Sequence, residues 1–522
     1  MLKFQSLIPG ISAVGLILLI LGTALIALWG FAIRTDNISI YFDHYLLHII
    51  WVTVLQAGLS TCLAIILAVL MAKALAMVDF PCQRLLIKIM PVTFILPTLV
   101  VVTGLLSVYG QHGIISLFFQ FFNLPIELSI YGLKGILLAH VFLNFPYACC
   151  LFYQSLKSVP VEQKQLAAQL NFSTFTFFKL VEWPLLRRQI LPMAALIFML
   201  CFSSFAIVLA LGGGPKYTTI EVAIYQSIRD FDLIQAVLLS CLQLICCIGF
   251  LIIMQKINRI KTMNIRFAHQ NYQIPIPYYL SLISYVIILI GSLFILLPLV
   301  TILIEGIYFF KFALLTVALL KALITSIIIA VGSAFIAMFL ALLLLWTNSR
   351  LLINQQIKWS NRLMLIGSLI LAIPSMVLAS GLFLLLFQYA DNIIIISILV
   401  MLCNALMALP FLLKNLSIPM YEVSLRYWQL CQSLNIEGLT HFYLIEFKAL
   451  KKLMAMSFTF AVILSFGDFG VIALFGGQTL TTLPYYLYEQ ISHYHYQEGT
   501  VTAAILLILS FSLMVVMDYD RT

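Results

Sequence analysis

Apolar runs long enough to cross a lipid bilayer fill most of this sequence. The run from Ile11 to Ile33 is apolar on every face of a helix, and comparable runs recur along the chain. Only helices and closed barrels span a bilayer, because backbone N–H and C=O groups find no water there. A β-barrel would show alternating segments of about ten residues instead. The runs therefore predict an all-α, polytopic membrane protein.

The runs give the number of spans. We place about twelve transmembrane helices near residues 11–33, 50–72, 89–109, 132–152, 191–211, 234–254, 279–304, 316–346, 363–387, 393–413, 453–475 and 500–518. The composition agrees, because 63% of the 522 residues are hydrophobic and 9% are charged, whereas a soluble chain carries about 25% charged residues.

The net charge is +9, but the basic residues are not clustered. They lie mainly in alternate short loops between the apolar runs. This pattern is typical of positive-inside topology, and no basic stripe suited to nucleic acid accompanies it. We therefore expect a bilayer-embedded chain with both termini in the cytoplasm and no nucleic-acid partner. The ten cysteines lie in apolar runs or cytoplasmic loops, so we expect neither a disulfide nor a metal site.

The two halves of the chain repeat each other. Residues matched at an offset of 264 are Pro146 and Pro410, Asn171 and Asn435, Phe205 and Phe469, and the glycine pairs that begin at Gly212 and Gly476; Pro97 and Gly104 match Pro374 and Gly381 at an offset of 277. We predict a six-helix half at 1–255, a basic cytoplasmic linker at 256–277 and a second six-helix half at 278–522. Repeats in the same orientation imply a pseudo-two-fold axis along the membrane normal.

One polar segment interrupts the apolar pattern in each half. The first polar segment is Pro160–Pro192 and the second is Pro419–Lys452. In the first, Glu162–Leu170 reads as an amphipathic helix with Leu166, Ala167 and Leu170 on one side. Asn171 follows at the position of a left-handed helix cap, which asparagine tolerates.

A second amphipathic stretch, Phe172–Val181, runs from this cap to Pro184, which we expect to break it. The resulting helix, turn and helix on a membrane face is a docking shape. A polar loop of this kind can also be a plain solvated connector between membrane helices. The recurrence of the segment at matched spacing in both halves favours docking.

The spacing resembles the EAA loop of ABC importer permeases, whose pattern is Glu-Ala-Ala, three residues, Gly, nine residues, Ile, one residue and Leu-Pro. In the first segment the matching residues are Gln165, Leu166, Ala167, Asn171, Val181, Trp183 and Pro184; in the second they are Gln429, Leu430, Cys431, Asn435, Ile445, Phe447 and Lys448. Both copies lack the Glu and carry Asn for Gly. The second also lacks the Pro, so its helix would run on into the membrane.

The resemblance implies that the loops at about 157–190 and 414–452 are coupling sites for an ATP-binding cassette subunit, present in two copies. The chain has no GxxxxGK[ST] phosphate loop of its own. We therefore expect a translocation subunit and not an enzyme, with no catalytic residue and no cofactor, while ATP and Mg²⁺ bind the partner. The resemblance also implies a periplasmic substrate-binding protein.

The fused layout looks like the branch of thiamine and ferric-iron permeases. The stretches Val181–Gln226 and Ser465–Ile491 closely resemble thiamine permeases, and the likeness extends over most of the chain. It implies alternating-access import of thiamine and its phosphates, with ferric iron as the alternative cargo. An ion-coupled secondary transporter should carry several ionisable groups at membrane mid-depth. Asp468 is almost alone there, which argues against this class. A membrane-embedded enzyme would need His, Asp or Glu residues at a common depth, and the sequence shows no such group.

Asp468 lies inside an apolar run, where a carboxylate is expensive and is a functional candidate. A small cationic substrate would suit this carboxylate together with the aromatic faces of Tyr485 and Tyr488. The structural alternative is that Asp468 accepts hydrogen bonds from backbone groups freed by Gly467 and Gly470, or pairs with a neighbouring helix. Both interpretations stay open from the sequence.

Overall fold

A computed structural model of the chain describes residues 7–33, 44–111, 113–122, 129–257, 277–311, 314, 316–386, 392–436, 438–476 and 480–519. Within these ranges there is no strand, and eleven helices are long and apolar enough to cross a membrane. The ninth predicted span falls on a shorter apolar helix, Ser375–Leu386. The predicted all-α polytopic fold is confirmed. Most of the predicted linker at 256–277 lies outside the described residues.

The described residues of the first half of the chain form twelve α-helices. They are α1 (Ile8–Ile33), α2 (His44–Met77), α3 (Gln83–Ile89), α4 (Thr98–Tyr109), α5 (Ile114–Phe121), α6 (Leu133–Lys157), α7 (Val161–Gln169), α8 (Thr174–Phe177), α9 (Trp183–Phe202), α10 (Ala206–Leu211), α11 (Ile220–Arg229) and α12 (Leu233–Ile257). A 3₁₀ turn at Met90–Phe94 precedes α4, and a second follows α10 at Pro215–Tyr217. A π-helical turn, Phe178–Glu182, joins α8 to α9.

Ten α-helices follow in the part of the second half that the structure describes. They are α13 (Tyr278–Tyr308), α14 (Val317–Ile353), α15 (Ile357–Ser368), α16 (Ser375–Leu386), α17 (Ile393–Ser433), α18 (Gly438–His441), α19 (Lys448–Phe466), α20 (Gly470–Phe475), α21 (Leu483–Ser492) and α22 (Tyr496–Tyr519). A 3₁₀ turn, Leu369–Ala372, follows α15. A second π-helical turn, Phe442–Phe447, joins α18 to α19.

The helices form two compact units, each with its own core. One unit takes residues 43–219 and 249–308, in which α2 packs on α6, α9 and α13; the other takes residues 1–42, 220–248 and 309–522, in which α14 packs on α1, α17 and α19. The first helix of each predicted sequence half, α1 or α13, therefore belongs to the unit built mainly from the other half. The domain boundaries drawn from the sequence repeat stay a prediction.

Four predicted spans differ from continuous helices. The spans at 89–109 and 363–387 are divided by 3₁₀ turns and begin again after Pro97 and Pro374. The span at 191–211 ends as α9 and resumes as α10, and the span at 453–475 ends as α19 and resumes as α20. Near the break after α9, the Gln56 side-chain amide of α2 donates a 2.7 Å hydrogen bond to the Cys201 carbonyl.

Two glycines matched by the repeat let helices approach closely. A methyl group at Gly381 of α16 would lie 2.5 Å from the Ala24 carbonyl oxygen of α1. At Gly104 of α4, the same group would lie 2.7 Å from the Ile302 side chain and 2.9 Å from the Pro298 carbonyl oxygen of α13. Glycine is required at both positions because the facing helix backbone occupies the space of a side chain.

We expect Gly381→Ala to destabilise the chain by about 1–3 kcal/mol, because α1 must move to admit the methyl group. The measurement is the unfolding temperature of the detergent-solubilised protein. Gly22→Ala is the matched control, since its added methyl group would meet nothing within 4 Å. Equal unfolding temperatures for the two variants would contradict the close approach of α1 and α16.

Candidate functional site

The first polar segment folds as a short helix, a left-handed turn and a second helix. The predicted helix Glu162–Leu170 corresponds to α7, and Asn171 has φ of 50°. The Asn171 N–H donates to the Ala168 carbonyl at 3.1 Å, and the Phe172 N–H donates to the Ala167 carbonyl at 3.0 Å. This pair of bonds is a Schellman motif, which satisfies carbonyls at the end of a helix. The left-handed cap predicted at Asn171 is present.

The second polar segment ends its helix in the same way. Asn435 also has φ of 50°. Its N–H donates to the Gln432 carbonyl at 3.3 Å, and the Ile436 N–H donates to the Cys431 carbonyl at 2.9 Å. The EAA pattern has glycine at this position. Asparagine is among the residues that enter the left-handed region most readily, so this departure from the pattern preserves the backbone geometry.

The prediction that Pro184 breaks the second helix is wrong. The chain stays helical from α8 through the π-helical turn into α9, and Pro184 is the second residue of α9. The second copy has the same course from α18 to α19 although Lys448 replaces the proline. The helix therefore continues in both halves. A π-helical turn has i→i+5 hydrogen bonds and often marks a functional position.

The face that the polar segments leave exposed is the same in both copies. Ala167 and Cys431 are buried, whereas Gln165 and Gln429 are exposed. Large apolar side chains also point outward, with Leu166 and Leu430 at 56% and 55% exposure. Other matched exposed positions, 264 residues apart, are Leu170 and Leu434, and Phe175 and Leu439. Only part of the predicted apolar side of α7 packs inward.

A small apolar core holds the first segment together. Val159, Ala167 and Phe177 are buried against one another, with Val181 packed at the edge. The Ser173 hydroxyl caps α8 by accepting a 3.2 Å hydrogen bond from the Thr176 N–H. The segment is thus a folded unit and not a loose connector.

The first π-helical turn carries an ion pair that the sequence reasoning missed. Glu182 is buried, and its carboxylate pairs with the Lys73 ammonium of α2. The same ammonium lies 5.8 Å from the ring centroids of Phe177 and Phe178. A carboxylate at the end of the amphipathic stretch, repeated 264 residues later at Glu446, was the available signal.

The second π-helical turn carries the matching pair. Glu446 is fully buried and pairs with the Arg350 guanidinium of α14. The Ser424 hydroxyl donates a 2.6 Å hydrogen bond to the same carboxylate oxygen. The His441 Nδ1 lies 2.9 Å from Arg350 Nη2. A guanidinium has only donors, so Nδ1 must accept, and the imidazole is neutral in this arrangement.

Asp468 lies in the break between α19 and α20. Its carboxylate accepts a 3.3 Å hydrogen bond from the Val471 N–H. It also lines a cavity with room for about one water molecule, together with Asn404, Ser465 and Thr482. Backbone contact, the structural alternative from the sequence, is therefore observed.

The two candidate tyrosines lie on α21. The Phe469 ring stands beside both, with centroid separations of 6.4 Å to Tyr485 and 4.9 Å to Tyr488. Arg229 Nη2 lies 3.5 Å from the Tyr485 hydroxyl. Neither tyrosine is among the residues that line the cavity at Asp468. The role of the three residues in a substrate path stays a prediction.

Glu221 of α11 is a buried carboxyl that the sequence reasoning did not single out. The Gln243 side-chain amide donates a 2.7 Å hydrogen bond to one of its oxygens. Burial raises the pKa of Glu221 to about 8, and the bond from Gln243 opposes that rise. The group is therefore mainly protonated near neutral pH.

Thiamine transport permeases from several bacteria are similar to this chain over nearly its whole length. The chain is 43% identical over 521 residues to the thiamine transport system permease protein ThiP of Escherichia coli K12, covering 98% of this chain and 96% of that protein. It is 42% identical over 510 residues to the ThiP of Haemophilus influenzae Rd, covering 96% and 93%. It is 34% identical over 481 residues to the ThiP of Brucella abortus strain 2308, covering 91% and 88%. No family model matches the chain.

The fold is polytopic and helical, with two folded polar segments at matched positions. Since the chain is also similar over nearly its whole length to transport permeases, it is a membrane transport permease. More narrowly, it belongs to the family of thiamine transport permeases. The resemblance to thiamine permeases, drawn from Val181–Gln226 and Ser465–Ile491, is confirmed. The coupling role of the polar segments stays a prediction.

We expect Asn171→Gly to leave the first polar segment unchanged, whereas Asn171→Ala weakens its cap by about 1 kcal/mol, because alanine resists positive φ. The measurement is amide hydrogen exchange of residues 161–182 in the solubilised protein. Exchange should become about fivefold faster in the alanine variant. Equal exchange in the two variants would contradict the left-handed cap.

Glu221 should make stability depend on pH. A carboxyl whose pKa is raised by folding contributes stability that is fully present below its unfolded pKa and is lost as pH rises through its folded pKa. Stability relative to Glu221→Gln should therefore fall between about pH 4.5 and about pH 8, the folded value being about 8. Unfolding temperatures of both proteins across this range provide the measurement. A constant difference would contradict the raised pKa.

Proposed function

We propose that this chain is the translocation subunit of an ATP-driven thiamine importer. It carries thiamine and its phosphates across the inner membrane by alternating access, after delivery by a periplasmic binding protein. Each polar segment docks on one copy of an ATP-binding cassette subunit, which binds ATP and Mg²⁺ and performs the hydrolysis. Both polar segments and both termini then face the cytoplasm.

The repeated exposed face of the polar segments carries this proposal. Leu166 of the short helix α7 and Leu430 in the last turn of the long helix α17 are more than half exposed, at equivalent positions of the repeat. Both residues lie within the polar segments, outside the apolar runs, so lipid does not account for their exposure. An amphipathic helix that presents apolar anchors to a groove is a common docking mode.

The proposed cargo is inferred from the similar proteins. The proteins from Escherichia coli and Haemophilus influenzae are named thiamine transport permeases, and their similarity to this chain runs through both halves. The alternative cargo from the sequence, ferric iron, has no such support. The same cargo requires a site that accepts an organic cation from the outer side.

The docking proposal predicts the effect of charge on the exposed face. Leu166→Glu and Leu430→Glu should each reduce copurification of the ATP-binding subunit and uptake of labelled thiamine about tenfold or more, because a charge would be buried at the interface. Both side chains are exposed, so the permease itself should remain folded and in the membrane. The measurements are subunit stoichiometry after affinity purification and uptake in cells lacking their own thiamine importer.

Leu85→Glu is the matched control, because Leu85 is also 56% exposed but lies on α3, outside the polar segments. It should retain the ATP-binding subunit. Full assembly and uptake in both polar-segment variants would refute the docking role. Uptake of ferric iron in place of thiamine by the unmodified complex would leave the docking role intact and replace the cargo.

A further inference from the structure

The ion pairs at the two π-helical turns occupy equivalent places in the repeat. Glu182 and Glu446 lie 264 residues apart, and their partners Lys73 and Arg350 lie 277 residues apart. We propose that these pairs are the links through which movement of each polar segment reaches α2 and α14. Glu182 and Glu446 are then positioning residues, and the inference rests on the proposed function.

The positions of the pairs make them suited to this role. Each glutamate lies where the polar segment passes into a long membrane helix, α9 or α19. Its basic partner lies near the end of another long helix, at Lys73 in α2 or Arg350 in α14. The pair therefore joins two membrane helices at the level of the polar segment. Without the ion pair, the π-helical turn could slide along α2 or α14 when the ATP-binding subunit displaces the polar segment.

The turn itself departs from regular α-helical geometry. A π-helical turn holds one extra residue per hydrogen-bonded ring, and its geometry is less favourable than that of an α-helix. Both turns begin at equivalent phenylalanines, Phe178 and Phe442. The ion pair can pass movement of the polar segment to α2 or α14 only if it stays intact while the turn moves. Coupling of this kind is a difference in free energy between two conformational states of the permease.

The surroundings of the two pairs differ. In the first, the Lys73 ammonium faces the rings of Phe177 and Phe178. In the second, the residue equivalent to Phe177 is His441, which accepts a hydrogen bond from Arg350. The Glu446 side chain is 0% exposed and that of Glu182 is 7% exposed. Loss of a partner is most damaging where a charge has no access to water.

The first pair therefore gives the clearer test. Lys73→Glu and Glu182→Lys place like charges together, and the double variant Lys73→Glu with Glu182→Lys restores an opposite pair. The complex of permease, ATP-binding subunit and binding protein is reconstituted in lipid vesicles. Basal ATP hydrolysis, hydrolysis stimulated by thiamine-loaded binding protein, and uptake are measured on the same preparation.

Each single variant should assemble and keep basal hydrolysis, yet lose about tenfold of the stimulation and of the uptake, and the double variant should recover most of both. Glu182→Gln, which removes only the charge, should lose stimulation in the same direction. Arg84→Glu is the control, because Arg84 is an exposed basic residue of α3 outside both pairs. It should retain full stimulation.

Full stimulation in assembled Lys73→Glu and Glu182→Gln complexes would overturn the inference. Loss of assembly in the single variants and Glu182→Gln, restored by the double variant, would also overturn it, because the pair would then only hold the fold. Failure of the unmodified complex to transport thiamine would refute the proposed function, and this inference with it. That outcome is read from the unmodified protein alone.

Discussion

The requirement that backbone polar groups be satisfied inside a membrane governs the described part of this structure. At the end of α9 and at the starts of α20 and α21, a polar side chain bonds to a backbone group that the helix leaves unpaired. Gln56 donates to the Cys201 carbonyl near the end of α9, and Asp468 accepts from the Val471 N–H at the start of α20. The Ser326 hydroxyl accepts a 2.7 Å hydrogen bond from the Leu483 N–H. Polar residues within apolar runs thus accompany the irregular backbone.

The same requirement shapes the polar segments. Each must turn back toward the membrane within a few residues, and a Schellman motif allows this without leaving carbonyls unpaired. The left-handed asparagine at its centre replaces the glycine of the EAA pattern. The two copies therefore share the backbone path through this turn although their side chains differ at most other positions. Backbone geometry and the outward apolar face identify the segments better than the residues that give the pattern its name.

Much of the fold was predictable because its signals are local. Apolar runs located the membrane helices, and the Asn171 and Asn435 caps followed from the preference of asparagine for left-handed turns. The break after α9 occurs without a proline or glycine at Ser203, whose hydroxyl donates to the Met199 carbonyl at 2.8 Å. The other polar partner there, Gln56, lies 145 positions before Cys201. Long-range bonds of this kind leave no periodicity to read.

The buried ion pairs were unpredictable for the same reason. Lys73 and Glu182 are 109 positions apart, and Arg350 and Glu446 are 96 positions apart. Repetition alone could have flagged the two glutamates at an offset of 264, but only the packing of α2 and α14 identifies their partners. The exchange of α1 and α13 between the units is equally non-local.

The different bases in the two pairs follow from what each must satisfy. Arg350 serves a carboxylate, the Ser349 hydroxyl at 2.8 Å and the His441 imidazole at once. A guanidinium has five donors in a fixed plane and can meet all three, whereas an ammonium is a compact charge with three donors. Lys73 meets one carboxylate and two aromatic faces, which suit a point charge. The repeat thus keeps an acid and a base at one position of the fold, and the surroundings decide which base can stand there.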